Sequence, residues 1–84
     1  MSLLWINGTL TDKADARVSP FDHGFLYGDG VWEPLRVFGG KLFRPDHHLK
    51  LLVRAAETLG IAIPLSHEEL LAAIDATVKA NART

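Results

Sequence analysis

Val31-Trp32-Glu33-Pro34-Leu35-Arg36-Val37-Phe38-Gly39-Gly40-Lys41-Leu42-Phe43 is the stretch on which the fold turns. Side chains alternate sides along an extended chain, so Val31, Glu33, Leu35 and Val37 share one face and Trp32, Pro34, Arg36 and Phe38 the other. Gly39-Gly40 suits a two-residue turn that needs positive φ, and Lys41-Leu42-Phe43 returns antiparallel. Pro34 has no N–H to give to a ladder, which predicts an edge or a bulge at that point.

Downstream the pattern changes from period two to a helical one. Pro45 fits the first turn of a helix, where a missing N–H costs nothing, and Asp46 sits near the positive end of its dipole. Leu49, Leu52, Val53, Ala56 and Leu59 form an apolar stripe, and Gly60 is a natural residue just past the end. Ile61-Ala62-Ile63-Pro64 is an extended exit. Ser66 and Glu69 have the spacing of a capping box, so a second helix runs from there through Leu70, Leu71, Ile74 and Val78 to near Asn81. Upstream, Leu4-Trp5-Ile6 and Thr9-Leu10 flank Asn7-Gly8, a hairpin signal. Phe21 to Gly30 reads as a loop, with three glycines in its last seven residues. Strands first and helices afterward predict an α+β fold: a small antiparallel β-sheet, of about four strands, covered by two helices.

The chain has 84 residues, 48% hydrophobic and 23% charged, with a formal charge of -1. That is one small domain, with too little positive charge for a nucleic-acid surface or a polybasic membrane anchor. Cysteine is absent, which excludes disulfides, thiolate catalysis and zinc–thiolate sites. No run of about 18 apolar residues marks a membrane span, and Met1-Ser2-Leu3-Leu4 has no signal-peptide character, so a cytoplasmic location is expected. A lone chain of this length buries only roughly 60–65% of its unfolded surface, so a partner surface or more chain is expected.

The chemistry-bearing residues cluster around the same stretch. Arg36 is a fork for a carboxylate and Trp32, on its side, an apolar wall; the plain alternative is a surface arginine lying over an aromatic. Glu33 falls on the apolar side and needs a partner, a backbone N–H before a general-base role. Tyr27 presents a phenol to a pocket or simply packs its ring. Tyr27-Gly28-Asp29-Gly30 leads into a strand rather than a helix, which argues against a phosphate loop. His47 and His48 are adjacent, about 100° apart on a helix, and no metal site is expected.

The run Asp22-His23-Gly24-Phe25-Leu26-Tyr27-Gly28-Asp29-Gly30-Val31-Trp32-Glu33, followed by Leu35-Arg36-Val37, resembles the N-terminal domain of the class IV aminotransferases, fold-type IV pyridoxal-phosphate enzymes. The group includes branched-chain and D-amino acid aminotransferases and aminodeoxychorismate lyases. The likeness extends over Trp5-Ile6-Asn7-Gly8, the Gly39-Gly40 hairpin and Ala55-Ala56-Glu57-Thr58-Leu59-Gly60-Ile61.

The resemblance implies that residues 1–84 are a single N-terminal α+β domain, a fragment lacking the C-terminal domain with the Schiff-base lysine. Lys13, Lys41, Lys50 and Lys79 do not match that lysine. It implies a pyridoxal-phosphate-dependent transferase in full-length form, acting on amino acid and 2-oxo acid as a homodimer, with a fragment that is inactive alone and binds no cofactor. Aminodeoxychorismate lyase chemistry, or a non-enzymatic dimerisation or binding module, is the alternative. Tyr27, Trp32 and Arg36 match substrate-pocket positions, with Trp32 in place of the usual Phe or Tyr. The family's His-x-x-Arg-Leu pattern, whose Arg holds the cofactor phosphate, puts His48 in place but Leu51 at the Arg position. Lys50 and Arg54 are then weak candidates for that role. Pro34 stands where small or β-branched residues are usual.

Overall fold

Asn7 and Gly8 both have positive φ, 47° and 94°, the conformation a tight turn between paired strands requires. They join β1 (Leu3–Ile6) to β2 (Thr9–Asp12), antiparallel, with Trp5 opposite Leu10. The computed structural model describes residues 2–81. Gly39 and Gly40, at φ 56° and 77°, turn a second hairpin of β3 (Val37–Phe38) and β4 (Lys41–Leu42). The two hairpins are separate two-stranded sheets. The α+β class is therefore as the sequence indicates, but its β part is two ribbons rather than one four-stranded sheet. The physical reason lies in residues 31–36, Pro34 among them, which alternate in burial as an extended chain does but have no ladder partner among the described residues. One bond, Phe43 N–H to the Arg36 carbonyl (2.9 Å), lengthens the second hairpin beyond β4.

The expected loop before that segment contains a short helix, α1 (His23–Tyr27). Asp22 caps it, its carboxylate accepting from the N–H groups of Gly24 (3.0 Å) and Phe25 (3.4 Å). Gly28, left-handed at φ 73°, closes it by donating to the Gly24 carbonyl (2.9 Å). Five residues are too few to show a helical period, and the glycine within the helix and those after it, Gly24, Gly28 and Gly30, mask the signal. Gly24 is needed for another reason: a methyl there would lie 2.9 Å from the Asp29 carbonyl oxygen, because the chain doubles back over the helix.

Two longer helices follow. α2 (Pro45–Thr58) starts at the proline and ends in a Schellman arrangement, Gly60 N–H to Glu57 carbonyl (3.0 Å) and Ile61 N–H to Ala56 carbonyl (2.8 Å). Its N-cap is Arg44, a non-glycine residue at φ 48° with no side-chain cap bond. α3 (His67–Ala80) carries the capping box as expected: Ser66 Oγ accepts from Glu69 N–H (3.1 Å), and Glu69 Oε1 accepts from Ser66 N–H (2.9 Å).

α3 packs on β1, and the side-chain amide of Asn81 fixes the pairing. Its Oδ1 accepts from Leu3 N–H (2.8 Å) while its Nδ2 donates to the Leu3 carbonyl (2.9 Å). Among the described residues only Leu49 and Ala56, both on α2 and both 1% exposed, are fully buried. The radius of gyration is 13.6 Å, against about 12 Å for a compact domain of this length, and the shortest dimension is 18 Å. The molecule is a thin slab with a minimal core and many exposed aromatic side chains, Phe21, Phe25 and Trp32 among them.

Candidate functional site

The segment 31–36 alternates as its sequence demands. Val31, Glu33 and Leu35 are half-buried; Trp32, Pro34 and Arg36 are exposed, Trp32 to 82%. The inward row continues into the body: Val31 lines a groove of about 580 Å³ with Trp5, Leu52, Ile63 and Leu70. The outward row puts an indole and a guanidinium on one face, with no ion-pair or hydrogen-bond partner for either side chain among the described residues.

Glu33 does not take the backbone partner expected of it. Its Oε2 lies 2.7 Å from His48 Nδ1 on α2, and the two side chains are only 20% and 23% exposed. An ionised carboxylate is acceptor-only, so with Glu33 ionised the donor in this contact is His48 Nδ1. Sequence reasoning missed this pair because it weighed the histidines as metal ligands, and His48 as the first residue of a family motif, but never as a partner for Glu33. Two signals were available: Glu33 on the inward row, and His48 directly before Leu49 on the apolar stripe of α2. Among the described residues no three His, Cys, Asp or Glu side chains are placed to share a metal ion.

Tyr27 ends α1 with its ring centroid 4.6 Å from that of His23 and remains 70% exposed. His23 is held in turn by Asp29, Nδ1 to Oδ2 at 2.9 Å. The phenol therefore stands on a short side-chain stack, and residues 28–30 carry the chain from it to Val31.

On α2, Leu51 is 41% exposed, while Lys50 and Arg54 line a groove of about 460 Å³ with Leu65 and His67. His67 is occupied by Asp46, Nε2 to Oδ1 at 2.6 Å. Lys13, Lys41, Lys50 and Lys79 are all exposed, and Lys79 pairs with Asp75 at 2.8 Å. An apolar side chain at position 51 and lysines on open surface do not fit a cofactor that needs a phosphate-holding cation and an enclosed amine. Residues 2–81 alone do not build that cradle.

Residues 30–84, more than half of the chain, match the family described as Amino-transferase class IV. The chain belongs to this family. It is 42% identical over 78 residues to a Methanocaldococcus jannaschii protein provisionally named a branched-chain-amino-acid aminotransferase, covering 93% of this chain and 27% of that protein. It is 42% identical over 79 residues to the aminodeoxychorismate lyase of Bacillus subtilis (94% and 27%) and 36% identical over 81 residues to a D-alanine aminotransferase of Staphylococcus epidermidis (96% and 29%). The chain thus spans less than a third of the length of these relatives. Family membership accounts for the Asp22–Arg36 run, and no helix among the described residues is long and apolar enough to cross a membrane.

Proposed function

We propose that this chain is the N-terminal, substrate-facing and dimer-contacting part of a cytoplasmic pyridoxal-phosphate-dependent aminotransferase that works on amino acids and 2-oxo acids, of the branched-chain or D-amino acid type. The observation that carries the reading is the outward row of 31–36. Trp32 and Arg36 share one exposed face of a segment whose other face is anchored to α2. A guanidinium beside an aromatic wall suits a small molecule with a carboxylate and a side chain. Tyr27, propped on His23 at the start of the same segment, supplies a phenol to that site or to the partner subunit's copy of it. A slab with two buried side chains gains most from a second subunit and a further domain to cover its aromatic face.

Pyridoxal phosphate, implied by the family for a full-length enzyme, supplies the electron sink for amino transfer when bound. This chain's residues orient the substrate; the cofactor's lysine falls to another part of the protein. Lys50 and Arg54 are second-rank phosphate candidates because the groove they line does not include Leu51.

Replacing Arg36 by Ala in the full-length protein tests the reading. Losing a charge-assisted bond worth about 1.5–3 kcal/mol raises KM for carboxylate substrates roughly ten- to a hundred-fold. Unchanged kinetics with every carboxylate substrate removes Arg36 from the site. The equal likeness to an aminodeoxychorismate lyase makes that chemistry the second reading. Pyruvate release without amino transfer selects it, and a purified full-length protein with no absorbance near the violet edge of the visible points to a non-enzymatic module.

A further inference from the structure

The pair that joins the extended segment to α2 has a consequence for which face looks outward. We infer that Glu33 and His48 form a positioning contact that fixes the register of residues 31–36, so that Trp32 and Arg36 face the substrate side; its functional value rests on the reading above.

Little else holds that register. Among the described residues no ladder runs along 31–36, and the nearest backbone tie is the Phe43 to Arg36 bond at its far end. At its near end Gly30 has open space around it, with nothing within 4 Å of where a methyl would sit. In an extended chain a slip of one residue exchanges the two faces completely. Apolar burial alone decides weakly between the two arrangements, because a slip would turn Trp32 and Pro34 inward together with the Arg36 guanidinium and expel Val31 and Leu35 along with the Glu33 carboxylate. The observed arrangement instead keeps Glu33 inward, where only a close polar partner makes a half-buried carboxylate tolerable. His48 is that partner at 2.7 Å, on the helix that also holds the buried Leu49. Polar pairs inside packed surfaces are best attested as devices that set register, and this pair sits where no other device does.

Three variants of the full-length protein test this: E33L, E33L/H48L and the exchanged pair E33H/H48E. Two readouts are taken: hydrogen exchange of the peptide spanning 30–38, and KM against kcat for a carboxylate substrate. E33L should raise exchange of that peptide about ten-fold and KM about ten-fold, with kcat within about two-fold. E33H/H48E should return both readouts toward the starting values. E33L/H48L should recover thermal stability, as apolar replacements of such pairs do, without recovering either readout. Unchanged exchange in E33L overturns the inference. So does full recovery of both readouts in E33L/H48L, which would mean that the pair only fills space, and so does failure of E33H/H48E to rescue. If exchange follows the expected order but no variant, nor the parent, transfers an amino group, the positioning contact stands and the proposed function falls.

Discussion

Leu49→Ala is the sharpest probe of the small core. Leu49 is 1% exposed on α2, and with Val53, Leu65 and Leu70 it lines the groove of about 460 Å³ between α2 and the start of α3. Removing a buried leucine's outer atoms costs about 2–5 kcal/mol, the lower half applying where the neighbourhood can collapse or admit water. An open groove beside the site places this change near 3 kcal/mol. Leu51→Ala, two residues on and already 41% exposed, should cost about 1 kcal/mol. A chain of this length is worth only about 4–12 kcal/mol in total, so the first change removes a large share. Far-UV circular dichroism under urea checks both. With a slope of about 1 kcal/mol per molar, the midpoint should fall by about 3 M for Leu49→Ala and about 1 M for Leu51→Ala. Equal shifts would refute the assignment of the core to the Leu49 side of α2. A parent chain with no cooperative transition would refute the premise that these elements hold together by themselves.

Four further outcomes follow from local structure. Ser66→Ala should cost about 1 kcal/mol of α3 stability, read by thermal melting, since Glu69 N–H loses its acceptor. The Glu69 carboxyl is held below the ordinary glutamate range by the Ser66 backbone N–H first and its hydroxyl second, so the capping contribution is present at neutral pH and fades as pH falls through the lowered value; Glu69→Gln should flatten that acid limb of a stability profile. Lys79 is raised by its hydrogen bond to Asp75 and by the charge there; that contribution is complete below the ordinary lysine range and is lost as pH climbs through the raised value, an alkaline limb that Asp75→Asn should abolish. Gly24→Ala should lower the melting temperature while Gly30→Ala leaves it nearly unchanged, because only the first methyl meets a backbone oxygen, at 2.9 Å.

What the sequence carried in short-range chemistry proved readable. Asn7-Gly8 and Gly39-Gly40 mark the two turns, Pro45 and Gly60 bracket α2, and Ser66 with Glu69 opens α3, because each signal acts within a few residues. The alternation along 31–38 was legible too, since it needs only the pleat. Its ladder was not, because pairing depends on a neighbour that no local pattern names. α1 hid for a related reason: Asp22 and Gly28 are a cap pair six residues apart, but without a turn of apolar spacing between them the glycines read as loop. The Glu33–His48 contact spans fifteen residues, and its identity depends on how α2 rotates against the extended segment. The roles given to Tyr27, Trp32 and Arg36 came through family likeness, and the structure adds their exposure and their supports rather than their ligand.

The Asn81 amide meets Leu3 with one donor and one acceptor, the same two groups that a neighbouring strand would offer. It thereby plugs the first outward-pointing slot of the β1 edge, while the next, at Trp5, has no partner among the described residues. Any strand that docked there, from another molecule or another part of a longer protein, would have to begin its pairing at Trp5 or evict the amide. A single side chain at the end of a helix thus acts as a stopper against edge-to-edge association, the hazard that free strand edges carry.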